Sequence, residues 1–142
     1  MSKIRPNLMV SDIRASIAFY RDVLGFQVLF RVPVENEILM EDAPSRELRF
    51  ATLAKGDIEL FLQSRRSLVQ DVPAFPADMR IGASMTLYMD VEDVDVLYEH
   101  IKSRADIVKA PETTWYGMRE LYIRDPDGYV LAFGKADGPP PS

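Results

Sequence analysis

The chain has 142 residues with one histidine and no cysteine, and its 17 Lys+Arg against 22 Asp+Glu give a formal charge of −5. That length suits one compact domain or two small repeats sharing a core, and it buries about two-thirds of the unfolded surface without needing a staple. The missing cysteines exclude disulfides, zinc–thiolate and iron–sulfur sites and thiol nucleophiles, and a lone histidine excludes His-pair metal motifs.

The acidic balance argues against a nucleic-acid partner, which selects a basic face, and favours a cationic ligand. Met1 to Asp12 has no apolar signal-peptide core, and no apolar run approaches the ~18 residues of a membrane span. A soluble, cytoplasmic protein with no membrane partner is expected.

Residues 3–10 alternate, with Ile4, Leu8 and Val10 on one face and Arg5, Asn7 and Met9 on the other, which predicts a half-buried strand that Pro6 places at an edge. Ser11-Asp12 reads as an N-cap, and Ile13, Ile17, Tyr20 and Leu24 form the stripe of an amphipathic helix stopped by Gly25. Phe26–Val34 reads as a strand. Residues 35–46 form a polar loop interrupted by Ile38-Leu39-Met40. Leu48–Leu53 and Ile58–Gln63 are two strands around the turn signal Ala54-Lys55-Gly56-Asp57. Residues 65–83, with Pro73, Pro76 and Gly82, show no clear period and read as a connector.

The pattern then restarts. Ser84–Val91 alternates, Glu92-Asp93 resembles the earlier cap, and Val94, Leu97, Tyr98 and Ile101 form a second helical stripe. Residues 105–109, Arg119–Arg124 and Tyr129–Gly134 read as strands, the last two joined by the turn Asp125-Pro126-Asp127-Gly128. A proline-rich tail, 135–142, is expected to be disordered. The order β-α-β-β-β thus occurs twice, and VSDI (10–13) answers VEDV (91–94). An α+β fold is predicted from two βαβββ modules, 3–64 and 84–134, with helices outside a cupped mixed sheet.

NLMVSDIRASIAFYRDVLGF (7–26), GDIELFLQ (56–63), YMDVEDVDVLYEHI (88–101) and WYGMRELYIRDPDGYVLAFG (115–134) together resemble the vicinal oxygen chelate superfamily of glyoxalase I, extradiol dioxygenases and bleomycin resistance proteins. The W-x-G-M-R-E…DPDG arrangement looks most like the bleomycin-resistance branch. The resemblance implies a homodimer whose metal-free cup captures a drug. It also implies that metal-dependent members carry four ligands in the cup, at positions that here hold Arg5, Glu59, Thr86 and Ala132. Only Glu59 among them suits a metal; an arginine donates and alanine has no donor atom. Arg5 placed beside Glu59 suggests instead a buried ion pair in the same cup. His100 lies off the helical stripe and is expected at the surface.

Alternation assigns Arg5, Asn7, Glu59, Phe61, Gln63, Thr86, Tyr88, Met118, Glu120 and Tyr122 to the cup, with Trp115 at its rim. The face of Phe50 is left open. Such mixed aromatic and polar lining suits a small-molecule pocket, with the aromatic groups stacking on a flat or cationic ligand. Three readings follow. The first is cofactor-free capture of a small aromatic or cationic molecule. The second is a vicinal oxygen chelate enzyme with one divalent metal ion held by Glu59. The third is a metal-free enzyme using Glu120 or Glu59 as base.

Overall fold

The computed structural model describes residues 1–82 and 84–139. It divides into two units, Met1–Ile81 and Gly82–Ser142.

The first unit runs β1 (Asn7–Val10), α1 (Ile13–Ala18), a π-helical turn (Phe19–Val23), β2 (Gln27–Pro33), β3 (Leu48–Lys55), β4 (Ile58–Ser64) and α2 (Arg65–Asp71). Its strands order β1-β4-β3-β2, with β1 parallel to β4 and the other neighbours antiparallel. The second unit repeats this with β5 (Thr86–Asp90), α3 (Val94–Ile101), β6 (Asp106–Thr113), β7 (Met118–Arg124) and β8 (Val130–Ala136), in the order β5-β8-β7-β6. Again the first strand is parallel to the last and the rest are antiparallel. The α+β architecture of two βαβββ repeats is therefore observed, with one four-stranded mixed sheet per unit.

The repeat extends to local chemistry. Asp12 and Asp93 both have extended backbones, at φ −147°, ψ 107° and φ −148°, ψ 108°, and accept from Ala15 N–H and Val96 N–H. Each supplies an acceptor to an otherwise orphaned amide at a helix start.

The first helix buries its expected stripe of Ile13, Ile17, Tyr20 and Leu24 but ends in a π-helical turn. Leu24 N–H reaches back five residues to Phe19 C=O, which widens the last turn and buries both Phe19 and Tyr20. Tyr20 packs edge-on to Phe19 and Phe26, at ring centroids of 5.3 and 5.6 Å.

Several boundaries differ from the sequence reading. The first strand begins at Asn7 rather than at residue 3, and Ile4 is exposed. Pro6 has no N–H to donate, and Lys3 and Arg5 turn to Glu59. The stretch read wholly as connector opens with α2, seven residues capped by Ser64 and anchored by the buried Ser67 and Leu68. One buried leucine is too little to register as a helical period. β6 continues to Thr113, and β8 reaches Ala136, two residues into the expected tail, because Met118 pairs with Ala136. Residues 140–142 of that tail lie outside the described residues.

Candidate functional site

In the second unit, β7 and β8 fix a face by register. Ala132 lies between Tyr88 on β5 and Tyr122 on β7, and Gly134 lies beside Glu120. Leu121, Ile123 and Leu131 point to the opposite, fully buried face. Three large polar side chains thus stand over two of the smallest residues. A Cβ built on Gly134 would fall 1.8 Å from the Tyr88 hydroxyl oxygen, so the phenol occupies the space that a side chain would fill.

Glu120 is 5% exposed. Tyr88 donates its hydroxyl to Glu120 Oε2 at 2.7 Å, and Tyr116 donates to Oε1 at 2.7 Å. Tyr122 lies 3.4 Å from Oε1. No Lys or Arg forms an ion pair with Glu120 among the described residues. A buried carboxylate held only by neutral donors is solvated but keeps its charge uncompensated.

The phenols respond. Burial first, then the hydrogen bond and charge of Glu120, pushes Tyr88 well above the usual tyrosine range. The hydrogen bond to Glu120 raises Tyr116, and burial followed by the Glu120 charge raises Tyr122. A second negative charge beside the first is disfavoured, so all three remain donors.

Glu120 opens on a cavity of about 580 Å³ lined by Val108, Lys109, Trp115, Tyr116 and Tyr122 among others. Trp115 is 85% exposed and meets Tyr116 edge-on, with ring centroids 5.4 Å apart. Lys109 is engaged by Glu112 at 3.4 Å. Met118 is half-buried, while Thr86 is exposed on the edge strand β5.

The first unit is arranged differently. Glu59 is claimed by Lys3 and by Arg5, whose Nε donates at 2.8 Å. The hydrogen bond from Lys3, with that from Arg5, holds its carboxyl below the usual range. Asn7 donates to the buried Gln63 at 2.8 Å, and Gln63 donates in turn to Ser67 Oγ at 2.8 Å and Asp71 Oδ2 at 2.7 Å. Both amides are taken up within the unit. Phe61 shares its face with Phe50, which stands opposite Gln63, and the two rings are 5.1 Å apart.

The four positions at which the resemblance implies metal ligands do not make a donor set for a divalent ion. Glu59 is already paired with two cations, and Arg5 is one of them. Ala132 is buried and faces Tyr88, while Thr86 pairs with Val130. Hard cations require several oxygen ligands, and these residues supply one engaged carboxylate and one hydroxyl.

Apart from the exposed Thr86, the sequence-predicted residues therefore fall into two groups. Tyr88, Trp115, Glu120 and Tyr122 converge with the half-buried Met118 in the second unit. Arg5, Asn7, Glu59, Phe61 and Gln63 stand on one face of the first, largely satisfied by one another. Tyr116 is not among the residues that alternation assigns to the cup, yet it makes one of the two shortest bonds to Glu120. It sits in the Thr114–Gly117 turn, where strand alternation assigns no face.

A family model described as the Glyoxalase/Bleomycin resistance protein/Dioxygenase superfamily matches residues 4–133. Bleomycin resistance proteins of Geobacillus stearothermophilus and Staphylococcus aureus are 30% identical over 138 residues, covering 90% of this chain and 92% of theirs. A protein of unknown function from Agrobacterium tumefaciens matches with a TM-score of 0.72 and 27% identity, over 96% of this chain and 94% of its own. TioX from Micromonospora sp. ML1 shares the fold, with a TM-score of 0.71 and 20% identity over 96% and 99% of the two chains.

Proposed function

Since the chain belongs to the glyoxalase/bleomycin resistance protein/dioxygenase superfamily, we propose that it binds and sequesters a small aromatic or cationic molecule without a metal ion. One observation carries this reading: the uncompensated carboxylate of Glu120, held by three phenols at the edge of an aromatic cavity. A cationic group supplies the countercharge that the protein omits, and Tyr116 and Trp115 offer faces on which a cation or a flat ring is attracted. The bleomycin resistance relatives support the same class of ligand. Capture needs no bond-breaking step, and it is the reading that the engaged Glu59 favours over chelation.

The proposal includes a homodimer. Met85, Tyr88 and Trp115 are 40%, 45% and 85% exposed, which is generous for large apolar side chains on a lone chain. Light scattering after size exclusion at micromolar concentration reads this directly, and a monomer would remove it.

The ligand proposal is tested by titrating the fluorescence of Trp115, the single tryptophan, with bleomycin and with a simple aromatic ammonium ion. Saturable quenching is expected, weakened at least about tenfold in Glu120→Gln, which corresponds to ~1.4 kcal/mol. Quenching that never saturates, or an unchanged affinity in Glu120→Gln, would overturn it. A bound equivalent of divalent metal that disappears in Glu59→Ala would turn the reading to chelate chemistry instead.

A further inference from the structure

The first unit holds a second cavity, an open depression of about 490 Å³ between the end of the first helix, β2 and the strap around Met40. It faces away from Phe61 and Gln63. Arg31, on its wall, pairs with Ala51, whereas Thr52 is the residue of β3 that pairs with Phe61.

Arg31 is 8% exposed. Its main chain pairs with Leu39 in both directions at 2.8 Å, and its side chain makes a single hydrogen bond, from Nη1 to Met40 C=O at 3.4 Å. A guanidinium has five N–H donors, and burying them without acceptors is costly. The buried side-chain atoms without a partner among the described residues are Ser16 Oγ and Thr52 Oγ1. No Arg31 nitrogen is among them, so its remaining N–H groups are not sealed in protein, and Arg31 itself lines the cavity.

Of the neighbouring charges, Asp42 and Arg21 are already paired, whereas Glu41 on the same wall forms no ion pair among the described residues. Asp42 is gripped by Arg14 through both oxygens, at 2.8 and 3.3 Å, and Arg21 by Asp22, at 2.8 and 3.2 Å. Arg31 is thus a buried cation without an ion pair, on a wall otherwise formed in part by Phe26, Val28 and Met40.

We propose that this cavity is a binding site for a small monocarboxylate with an apolar body. With Nη1 turned to Met40, the Nε–Nη2 edge of Arg31 is the fork left free, and its two parallel donors match the two oxygens of a carboxylate. Phe26, Val28 and Met40 receive the hydrocarbon. Glu41 and Asp42 at the mouth set the charge limit: one negative group is neutralised by Arg31, and a second is repelled. Phosphate dianions and dicarboxylates are thereby excluded. The site lies wholly within the first unit and is independent of Glu120.

The test is a nuclear magnetic resonance titration with hexanoate, reading the Arg31 Nε–H and Met40 methyl signals, with succinate and inorganic phosphate as comparators. Saturable shifts are expected with hexanoate, at least tenfold weaker with either comparator. Arg31→Lys keeps the charge but loses the fork and should bind hexanoate at least tenfold more weakly. Should that variant fail to fold, Val28→Phe fills the cavity, leaves Arg31 in place and should also abolish the shifts. An absence of saturable shifts in the unaltered protein, equal affinity for phosphate, or unchanged binding in either folded variant would overturn the proposal.

Discussion

Gly134 gives the sharpest test of how the Glu120 cluster is built. Gly134→Ala adds one methyl group, whose carbon would lie 1.8 Å from the Tyr88 hydroxyl oxygen and 2.5 Å from Cζ. The strand cannot move without breaking its pairing to β5 and β7, so the ring swings away and its bond to Glu120 is lost. A hydrogen bond to a charged group is worth ~1.5–3 kcal/mol. Tyr88 is 45% exposed, so water partly replaces it and the lower end applies. Alanine in place of a strand glycine returns ~0.5–1 kcal/mol. The net expectation is a loss of about 1 kcal/mol, measured by urea unfolding followed through far-UV circular dichroism. In a Tyr88→Ala background the three atoms nearest to that methyl group are gone, and the same substitution should become neutral or stabilising. An equal cost in both backgrounds would refute the argument, because the penalty would then not arise from Tyr88.

Two further outcomes follow from the same chemistry. Tyr88, Tyr116 and Tyr122 are raised above the ordinary tyrosine value of 10.0, so above pH 10 the unfolded chain sheds protons that the folded chain retains. Stability is therefore fully present below about pH 10 and falls as pH rises beyond it, and Tyr88→Phe should flatten that fall in alkaline unfolding curves. Asp12→Ala and Asp93→Ala each remove an N-cap of nearly identical geometry and should cost ~1 kcal/mol apiece; thermal or urea unfolding of the two variants should give similar losses.

Much of the frame was legible from residues alone. The twin caps at Asp12 and Asp93, the strand alternation and the Asp125–Gly128 turn marked both repeats. Alternation also put Tyr88, Glu120 and Tyr122 on one face. It could not show that their tips meet, since a period gives direction and not reach. Gly134 carries no signal of what lies over it, and Tyr116 sits in a turn. Arg31 was hidden by a register shift between Val28 and Phe30, where a bulge breaks the two-residue period that alternation assumes.

Duplication of the frame has left two carboxylates with opposite fates. Glu59 is engaged by two cations from the segment before β1, and the strand face it shares also carries the Phe50 and Phe61 rings. Glu120 has no such custodian. One scaffold, written twice, thereby carries two faces of different charge, each set by the side chains at a few strand positions.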